Sequence, residues 1–277
     1  MRTLTSVICW VVAVLAGIVA LPVTWIADNV ADETGYVELV RDLRDDPQVV
    51  EAVADTAASR VAGDLPEAVR DQVAAQLSQA LGALEEVPGF DEAWDDSQRR
   101  SHQLWFGGRY IPERLQVDVT PLVDLALQQV STALPIAIEA PEEVLVPVAT
   151  APPGLRFVET TPTWKSITLL AAGAAAVLCF VFARRRSTGL AWVGVGALVV
   201  AGATYVGTRV AVPAVLDRAA SGSSPFGQVL TDAVGDRFTA SLDEWIEQLA
   251  LAGAAAIVLG LVCRGILALW QRRRRPA

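Results

Sequence analysis

Four long apolar segments constrain the fold of this 277-residue chain more than any other feature. A helix needs roughly 20 apolar residues to cross the hydrocarbon core of a bilayer, which is about 30 Å thick. Arg264 is the only charged side chain within the four segments, and its long stem allows the charge to reach the polar interface. The pattern therefore predicts four transmembrane helices, at residues 4–26, 166–183, 189–208 and 249–270.

The composition limits the class of protein further. The chain is 53% apolar, with a mean hydropathy of +0.41, and it still carries a net charge of -9. A single His, three Cys and a pI near 4.7 exclude a metal enzyme with several His ligands, a disulfide-stapled secreted domain and a nucleic-acid binder held by phosphate contacts. The four segments lack Asp, Glu, His and Lys, which argues against an ion-driven transporter.

The first apolar segment raises the question of a cleavable signal peptide. Such a peptide has a shorter apolar region and small residues at the first and third positions before the cut. A cut after Ala27 would put Trp25 at the third position. We therefore interpret residues 1–27 as an uncleaved signal anchor.

The distribution of charge predicts the orientation in the membrane. Residues 28–165 carry 25 acids and 10 bases, and residues 209–248 carry 6 acids and 3 bases. The other nine basic residues, all Arg, lie at the N-terminus, in residues 184–188, within the last segment and in the tail 271–277, where no acid occurs. Because cytoplasmic loops are enriched in Lys and Arg, we predict a multi-pass plasma-membrane protein with both termini in the cytoplasm. The lipid bilayer is then one of its partners.

These boundaries divide the chain into four spans and the segments between them. The predicted division is: first span 1–27; extracytoplasmic, mainly helical domain 28–165; second span 166–183; cytoplasmic Arg-rich loop 184–188; third span 189–208; extracytoplasmic helical loop 209–248; fourth span 249–270; cytoplasmic Arg-rich tail 271–277.

Local signals predict the helices of the outer segments. A helix is expected from about residue 34 to 43. A second helix is expected to start at Asp46-Pro47 and end near Gly63, and a third to start at Thr120-Pro121. Another is expected to start at Ser224-Pro225 and continue into the last span. A further helix follows Asp64 and Glu67, which have the spacing of a capping box.

Two stretches of the outer domain indicate extended chain instead. Apolar and polar residues alternate at 115–119 as they do in a short strand, so this segment could form a small hairpin or pair with a sheet edge. Six prolines between residues 135 and 162 predict extended segments rather than a long helix.

An aromatic stripe marks the helix that follows residue 89. Phe90, Trp94 and Trp105 recur near multiples of 3.6 residues, with His102 beside them. The favoured interpretation is a helix packed on the domain core, with His102 as a hydrogen-bonded polar group, and the alternative is a functional surface. Since the sequence marks no nucleophile or acid partner for His102, we predict no catalytic residue and no enzyme.

Four carboxylates lie at the start of the same helix. A helix dipole favours acids at this end, so a solvated acidic face is the favoured interpretation. A weak divalent cation site and paired catalytic carboxylates are the alternatives, but the oxygen-rich loop of a dedicated calcium site is missing. We predict neither a cofactor nor a dedicated metal site. The four residues are Asp91, Glu92, Asp95 and Asp96.

Small residues four positions apart recur in the apolar segments. This spacing lets helices approach closely, so it favours a packed four-helix bundle or pairing with another membrane protein. The pairs are Ala13 with Gly17, Ala203 with Gly207, and Ala256 with Gly260.

Several of these features together resemble a family. They are the Asp46-Pro47 helix with its VVEAVAD stretch, the Phe90, Trp94 and His102 helix that ends in glycine, the VDVTPLV motif at 117–123, and Arg outnumbering Lys by 21 to 1. The layout resembles that of uncharacterised actinobacterial four-span integral membrane proteins, which have an extracytoplasmic helical domain between the first and second spans. The resemblance implies an all-α membrane protein with four transmembrane helices and a mainly helical extracytoplasmic domain, and it supplies no activity.

Two hypotheses about function follow. The first is a non-enzymatic plasma-membrane protein whose acidic outer domain scaffolds or binds another cell-envelope component, possibly as a subunit of a membrane complex. The alternative is a membrane protein that handles a lipid or small molecule in a groove between the spans and the outer domain. The expected partner is another membrane or envelope protein, and no nucleic-acid partner is expected.

Overall fold

The structure is a computed structural model that describes residues 2–63, 66–84, 87–108, 112–130, 141–151, 154–183, 186–220 and 223–273. These residues form nine α-helices, two β-strands and two short helical segments of other types. In chain order they are α1 (Arg2–Ile26), a π-helical segment (Ala27–Ala31), α2 (Glu33–Val40), a 3-10 segment (Arg41–Asp45), α3 (Pro47–Gly63), α4 (Glu67–Gly82), α5 (Phe90–Phe106), β1 (Arg114–Asp118), α6 (Thr120–Val130), β2 (Leu145–Thr150), α7 (Leu155–Phe182), α8 (Arg186–Ala220) and α9 (Pro225–Arg273).

Four of the described helices are long and apolar enough to cross a membrane. Helices α1, α7, α8 and α9 supply these stretches, which run over Thr5–Ala31, Leu155–Phe182, Thr188–Ala220 and Pro225–Ile266. Each stretch overlaps one of the four apolar segments, so the prediction of four such helices is confirmed. The predicted continuation of the Ser224-Pro225 helix into the last segment is also confirmed, because α9 is a single helix of 49 residues.

The chain forms two compact units. One unit comprises Met1–Asp28, Thr160–Ala211 and Thr239–Ala277, and we call it the apolar unit. The other comprises Asn29–Glu159 and Val212–Phe238, and we call it the polar unit.

The apolar unit exposes large apolar side chains along its helices. Leu170 is 73% exposed, and among the described residues every other large exposed hydrophobic residue lies in this unit except Leu104, Phe157 and Val215. Exposure to water would cost about 25 cal/mol for each Å² of this apolar surface. The surface is therefore typical of helices that face lipid.

Helices α8 and α9 come into close backbone contact at two glycines, Gly194 and Gly253, which lie outside the predicted small-residue pairs. A Cβ atom built on Gly194 would lie 2.5 Å from the carbonyl oxygen of Gly253, and one built on Gly253 would lie 2.9 Å from that of Gly194. Two of the predicted small-residue positions differ. A Cβ atom built on Gly17 would lie 2.8 Å from a methyl group of Val200, whereas one built on Gly207 would have no atom of the described residues within 4 Å. Gly207 therefore makes no close helix contact among the described residues, and pairing with another membrane protein stays a prediction there.

The polar unit has a core of its own. Helix α3 packs on α4, helices α4 and α5 both pack on α6, and α5 also packs on β1. Val49, Ala57, Val123 and Ala126 are fully buried at the centre of this cluster. The predicted helices at Asp46-Pro47 and Thr120-Pro121 supply these residues, and both helices are confirmed.

Two strands complete the polar unit. Strands β1 and β2 pair antiparallel, with Val117 opposite Val146 and a register shift at Leu115 and Gln116. A two-stranded sheet is marginal alone, and packing on α5 stabilises it. The short predicted strand is confirmed, so the all-α fold class has to be corrected to a mainly helical fold with one small two-stranded antiparallel sheet, whose strands are separated in the chain by α6.

The structure also corrects three predicted boundaries. The expected helix at 34–43 is α2 followed by the 3-10 segment. Of the capping box, Asp64 lies outside the described residues, and α4 begins at Glu67 without a side-chain cap. The extended chain predicted up to residue 162 is wrong from Leu155 onward, because α7 contains Pro162. One proline removes one backbone hydrogen bond, and a helix of 28 residues retains the others.

Gly194→Ala is expected to lower the unfolding temperature of the full chain in mild detergent. The new Cβ would lie 2.5 Å from the Gly253 oxygen and 2.9 Å from the Ile257 backbone nitrogen, and backbone atoms cannot move aside as a flexible side chain can. Overpacking of this kind costs about 1–3 kcal/mol. Gly207→Ala is the matched control, and a thermal-unfolding measurement that ranked the two variants equally would contradict the predicted effect of the contact.

Candidate functional site

Helix α5 carries the aromatic residues that the sequence predicts. Gly89 precedes it with a φ of 95°, a left-handed conformation that favours glycine, and Phe90 then enters the core. Trp94 is 2% exposed, and its ring centroid lies 6.2 Å from that of Phe90. Both side chains belong to the buried cluster of the polar unit.

His102 is buried on the same helix and has a hydrogen-bond partner. Its Nε2 atom lies 3.0 Å from the carbonyl oxygen of Val30, so the tautomer with a proton on Nε2 donates to that oxygen. The ring packs between Tyr36, at 5.3 Å, and Phe106, at 4.8 Å between centroids. Burial raises the pKa of Tyr36 well above its ordinary value, so the phenol stays protonated at neutral pH.

Trp105 completes the stripe in a half-buried position. Its Nε1 atom donates a hydrogen bond to the carbonyl oxygen of Gln116 at 2.7 Å, which ties α5 to β1. The burial of Phe90, Trp94 and His102 agrees with the favoured interpretation of a helix packed on the domain core.

The predicted acidic residues are paired with arginines. Asp91 lies 2.9 Å from Arg44, and Asp95 lies 3.4 Å from Arg41. Asp96 forms an ion pair with Arg99 on the same helix, while Glu92 is exposed. The first two pairs join α5 to the 3-10 segment. Within the described ranges, no group of three or more His, Cys, Asp or Glu side chains is placed to hold a metal ion.

A buried polar network beside the stripe was missed from the sequence. The Ser97 hydroxyl donates to the carbonyl oxygen of Asp118 at 2.5 Å, and the Ser101 hydroxyl donates to that of Ser97 at 2.7 Å. The Asp118 backbone N–H donates to the Ser101 oxygen at 2.9 Å. The Asp118 carboxylate accepts from the backbone N–H of Thr120 at 2.9 Å, and the Thr120 hydroxyl accepts from the N–H of Val144 at 2.8 Å.

This network joins α5, the start of α6 and the approach to β2. Both serine hydroxyls are engaged by backbone groups, so the arrangement stabilises the two-stranded sheet and offers no free nucleophile. The signal available in the sequence was the Asp118-Val119-Thr120-Pro121 run, whose carboxylate caps the following helix.

The apolar unit contains a cavity that no motif indicated. A cavity of about 340 Å³ lies among α1, α7, α8 and α9. Small residues make room for it, among them Gly17, Ala20, Gly173 and Gly196. Their abundance was visible in the sequence, but it predicted close helix contact and not a cavity.

Polar atoms are few in the wall of this cavity. The Trp10 indole N–H already donates to the Trp192 carbonyl oxygen at 2.7 Å. Thr24 is 8% exposed, and its hydroxyl has no hydrogen-bond partner among the described residues. The Thr24 hydroxyl oxygen has less than 1 Å² of accessible surface, so it does not open into the cavity.

Helix α7 forms one side of the cavity and is attached at two separate places, once to the π-helical segment that follows α1 and once to α1 itself. Lys165 forms an ion pair with Asp28. Near the other end, the Ser6 hydroxyl donates to the Cys179 carbonyl oxygen at 3.3 Å. Between these attachments, Leu169 and Gly173 line the cavity.

The fold defines a mainly helical protein with four helices of membrane-spanning length, as in multi-pass membrane proteins. No family model matches the chain, and no curated protein or solved structure is similar to it.

Ser101→Ala is expected to lower the free energy of unfolding of the full chain by about 1–3 kcal/mol, because the buried N–H of Asp118 loses its acceptor. Ser78→Ala is the control, since the Ser78 hydroxyl bonds Asp55 at the surface. Surface substitutions usually change stability by within about 0.5 kcal/mol. Denaturant unfolding followed by Trp fluorescence would measure both, and equal losses would argue against a buried network.

Proposed function

We propose that this chain is a non-enzymatic, multi-pass plasma-membrane protein that holds its polar unit outside the cytoplasm, where the unit scaffolds or binds another cell-envelope component. The observation that carries the proposal is the contrast between the two units. The apolar unit exposes large apolar side chains, while the polar unit buries its own in a separate core. An anchor in lipid and a folded domain in water account for both surfaces.

The distribution of basic residues supports the orientation. The polar unit contains 27 Asp and Glu residues against 11 Lys and Arg. The Arg clusters lie instead in residues 184–186 and 272–275, beside the apolar helices. The positive-inside tendency puts these clusters, and with them both termini, in the cytoplasm.

The charge of the polar unit also favours a class of partner. Sixteen excess negative charges attract a basic surface and repel anionic lipid headgroups. The proposed partner is therefore a membrane or envelope protein with a basic face, and the chain acts as a subunit of a membrane complex.

Cysteine labelling in intact cells tests the orientation. Gln79→Cys puts a thiol on an exposed position of α4, and Ser187→Cys puts one in the first turn of α8, beside the arginines at 184–186. We expect a membrane-impermeant maleimide to label Gln79→Cys in intact cells and Ser187→Cys only after lysis. The natural chain is the control, because its three cysteines lie in the apolar helices. The reverse pattern would overturn the orientation.

Affinity purification of the tagged full chain in mild detergent, followed by mass spectrometry, tests the partner. We expect a co-purifying envelope protein whose recovery falls severalfold between about 0.15 M and 1 M salt, because the Debye length shrinks from about 8 Å to 3 Å. Recovery of the single chain alone would count against the proposal.

Two variants that remove surface charges of opposite sign give that purification a sharper control. Glu51→Gln, Glu67→Gln and Asp71→Asn remove three exposed negative charges and should reduce recovery of the partner. Arg60→Gln and Arg70→Gln remove exposed positive charges from the same two helices and should not. Equal recovery with both variants would contradict an electrostatic interface on α3 and α4.

A second candidate function is the handling of a lipid or small apolar molecule. The cavity among α1, α7, α8 and α9 favours it, because its volume of about 340 Å³ lies in the range of about 300–1,000 Å³ that ligand pockets occupy. The two functions are compatible.

A further inference from the structure

We infer that Arg264, in the last apolar helix, binds the headgroup phosphate of an anionic phospholipid. The inference rests on the membrane placement in the proposed function, and it depends on neither the protein partner nor the cavity. It holds for either orientation of the chain, because both faces of a bilayer present headgroups.

Arg264 is an exposed charge in an apolar stretch of α9. All six residues at 261–266 are exposed, and Leu261 and Ile266 have 57% and 52% of their surface accessible. A helix that packs on one side buries a residue in almost every turn. This part of α9 therefore has no neighbouring helix among the described residues.

Helices α8 and α9 run antiparallel within the apolar unit. The close backbone contact joins Gly194 to Gly253. Arg209 lies further along α8 and pairs with Asp243, which lies earlier in α9. The last part of α9 is therefore at the same end of the unit as the start of α8.

The same contact gives the level of Arg264 along the two helices. Arg186, the first residue of α8, lies eight residues before Gly194, and eight residues after Gly253 the chain reaches position 261. Arg264 follows three residues later, about 4.5 Å further along the helix axis. Helix α9 thus extends past the start of α8, which explains the exposure at 261–266.

The apolar unit offers Arg264 no carboxylate. No ion pair among the described residues involves it. The last acid in the sequence is Glu247, 17 residues earlier and about 26 Å away along α9. Asp28 is already paired with Lys165. Since the proposed topology puts the polar unit on the other side of the membrane, the counterion has to come from outside the chain.

The arginines of α8 whose side chains the structure describes are different in this respect. Arg209 lies 2.6 Å from Asp243, and Arg218 donates to the carbonyl oxygen of Ala214 at 2.7 Å. A guanidinium has five N–H donors. Those of Arg264 are available to an acceptor that the surroundings supply.

The phosphate of a phospholipid matches the position of Arg264. This residue lies six positions before the end of the last predicted span, about 9 Å along the helix. Its long stem lets the guanidinium reach the polar interface, where the headgroups lie. The planar guanidinium binds two phosphate oxygens at once. One phosphate thus supplies both the negative charge and the hydrogen-bond acceptors.

Neighbouring arginines favour an anionic lipid over a zwitterionic one. Positions 184–186 and 272–275 add seven arginines next to the start of α8 and the end of α9, and no acid accompanies them. Basic clusters beside a transmembrane helix attract anionic headgroups. A choline headgroup would bring its own positive charge toward these arginines, whereas a glycerol headgroup does not. Phosphatidylglycerol is therefore the proposed type of ligand.

Native mass spectrometry of the full chain, purified in mild detergent, tests the site. We expect phosphatidylglycerol to bind severalfold more tightly than a phosphatidylcholine with the same acyl chains. Arg264→Gln should weaken the binding of phosphatidylglycerol about tenfold, because a charge-assisted bidentate contact is lost. Equal affinity of the natural chain and Arg264→Gln for phosphatidylglycerol would overturn the inference.

Arg209→Gln is the matched control for that substitution. It removes the same charge from an exposed position whose guanidinium already has a carboxylate partner. It should therefore bind phosphatidylglycerol as the natural chain does. If both variants lost affinity equally, the lipid would respond to net charge alone and the inference would fall. Arg264→Lys keeps the charge without the planar fork and should recover part of the lost affinity.

Inorganic phosphate distinguishes a lipid headgroup from the free ion. A large excess of inorganic phosphate should leave phosphatidylglycerol bound, because the ion lacks the acyl chains that lie against the exposed apolar residues of α9. Displacement of the lipid by the free ion would show a site for phosphate rather than for a phospholipid, contrary to the inference.

Two further outcomes separate failure of the inference from failure of the proposed function. Extraction of the full chain from cell membranes by alkaline carbonate, without detergent, would remove the membrane placement and the inference with it. If extraction needs detergent, and Arg264→Gln keeps its affinity for phosphatidylglycerol but loses a co-purifying protein, the counterion is a carboxylate of that protein. In that case only the inference falls.

Discussion

Apolar surface that the chain does not bury is the constraint from which the rest of the structure follows. Side chains such as Leu170 project from the apolar helices with most of their surface exposed. Such a surface is stable only in an apolar solvent, where no water is present to satisfy backbone N–H and C=O groups. Only helices satisfy these groups internally in a short segment. The lengths of α1, α7, α8 and α9, and their continuation through prolines such as Pro22 and Pro162, follow from this requirement.

The features that the sequence predicted well are local ones. An apolar run of about 20 residues predicts a helix of membrane-spanning length whatever its neighbours are. Start signals such as Asp46-Pro47 and Thr120-Pro121 act within one helical turn, and the structure has helices at both. The burial of Phe90 and Trp94 follows from their spacing on a single helix.

The features that the sequence did not predict depend on pairs of distant residues. Gly194 and Gly253 bring the backbones of α8 and α9 close together, while a Cβ built on Gly207, which has an equally suitable spacing, meets no described atom within 4 Å. The difference lies in how each helix is rotated about its axis, which spacing alone does not determine. The partner of β1 lies beyond α6 in the chain, and residues that alternate do not specify which strand they pair with. The cavity is harder still to predict, because it consists of missing side-chain volume on four helices.

Helix α7 is attached at two separated places to α1 and to the π-helical segment that continues it, and the cavity lies between these attachments. The Lys165–Asp28 ion pair and the Ser6–Cys179 hydrogen bond fasten the two helices at points 14 residues apart on α7. Helix separation along the whole length is thereby opposed, while the stretch around Gly173 carries little side-chain bulk. The flank of the bundle around Gly173 is therefore the exposed side of the cavity, and it lies between the two attachments.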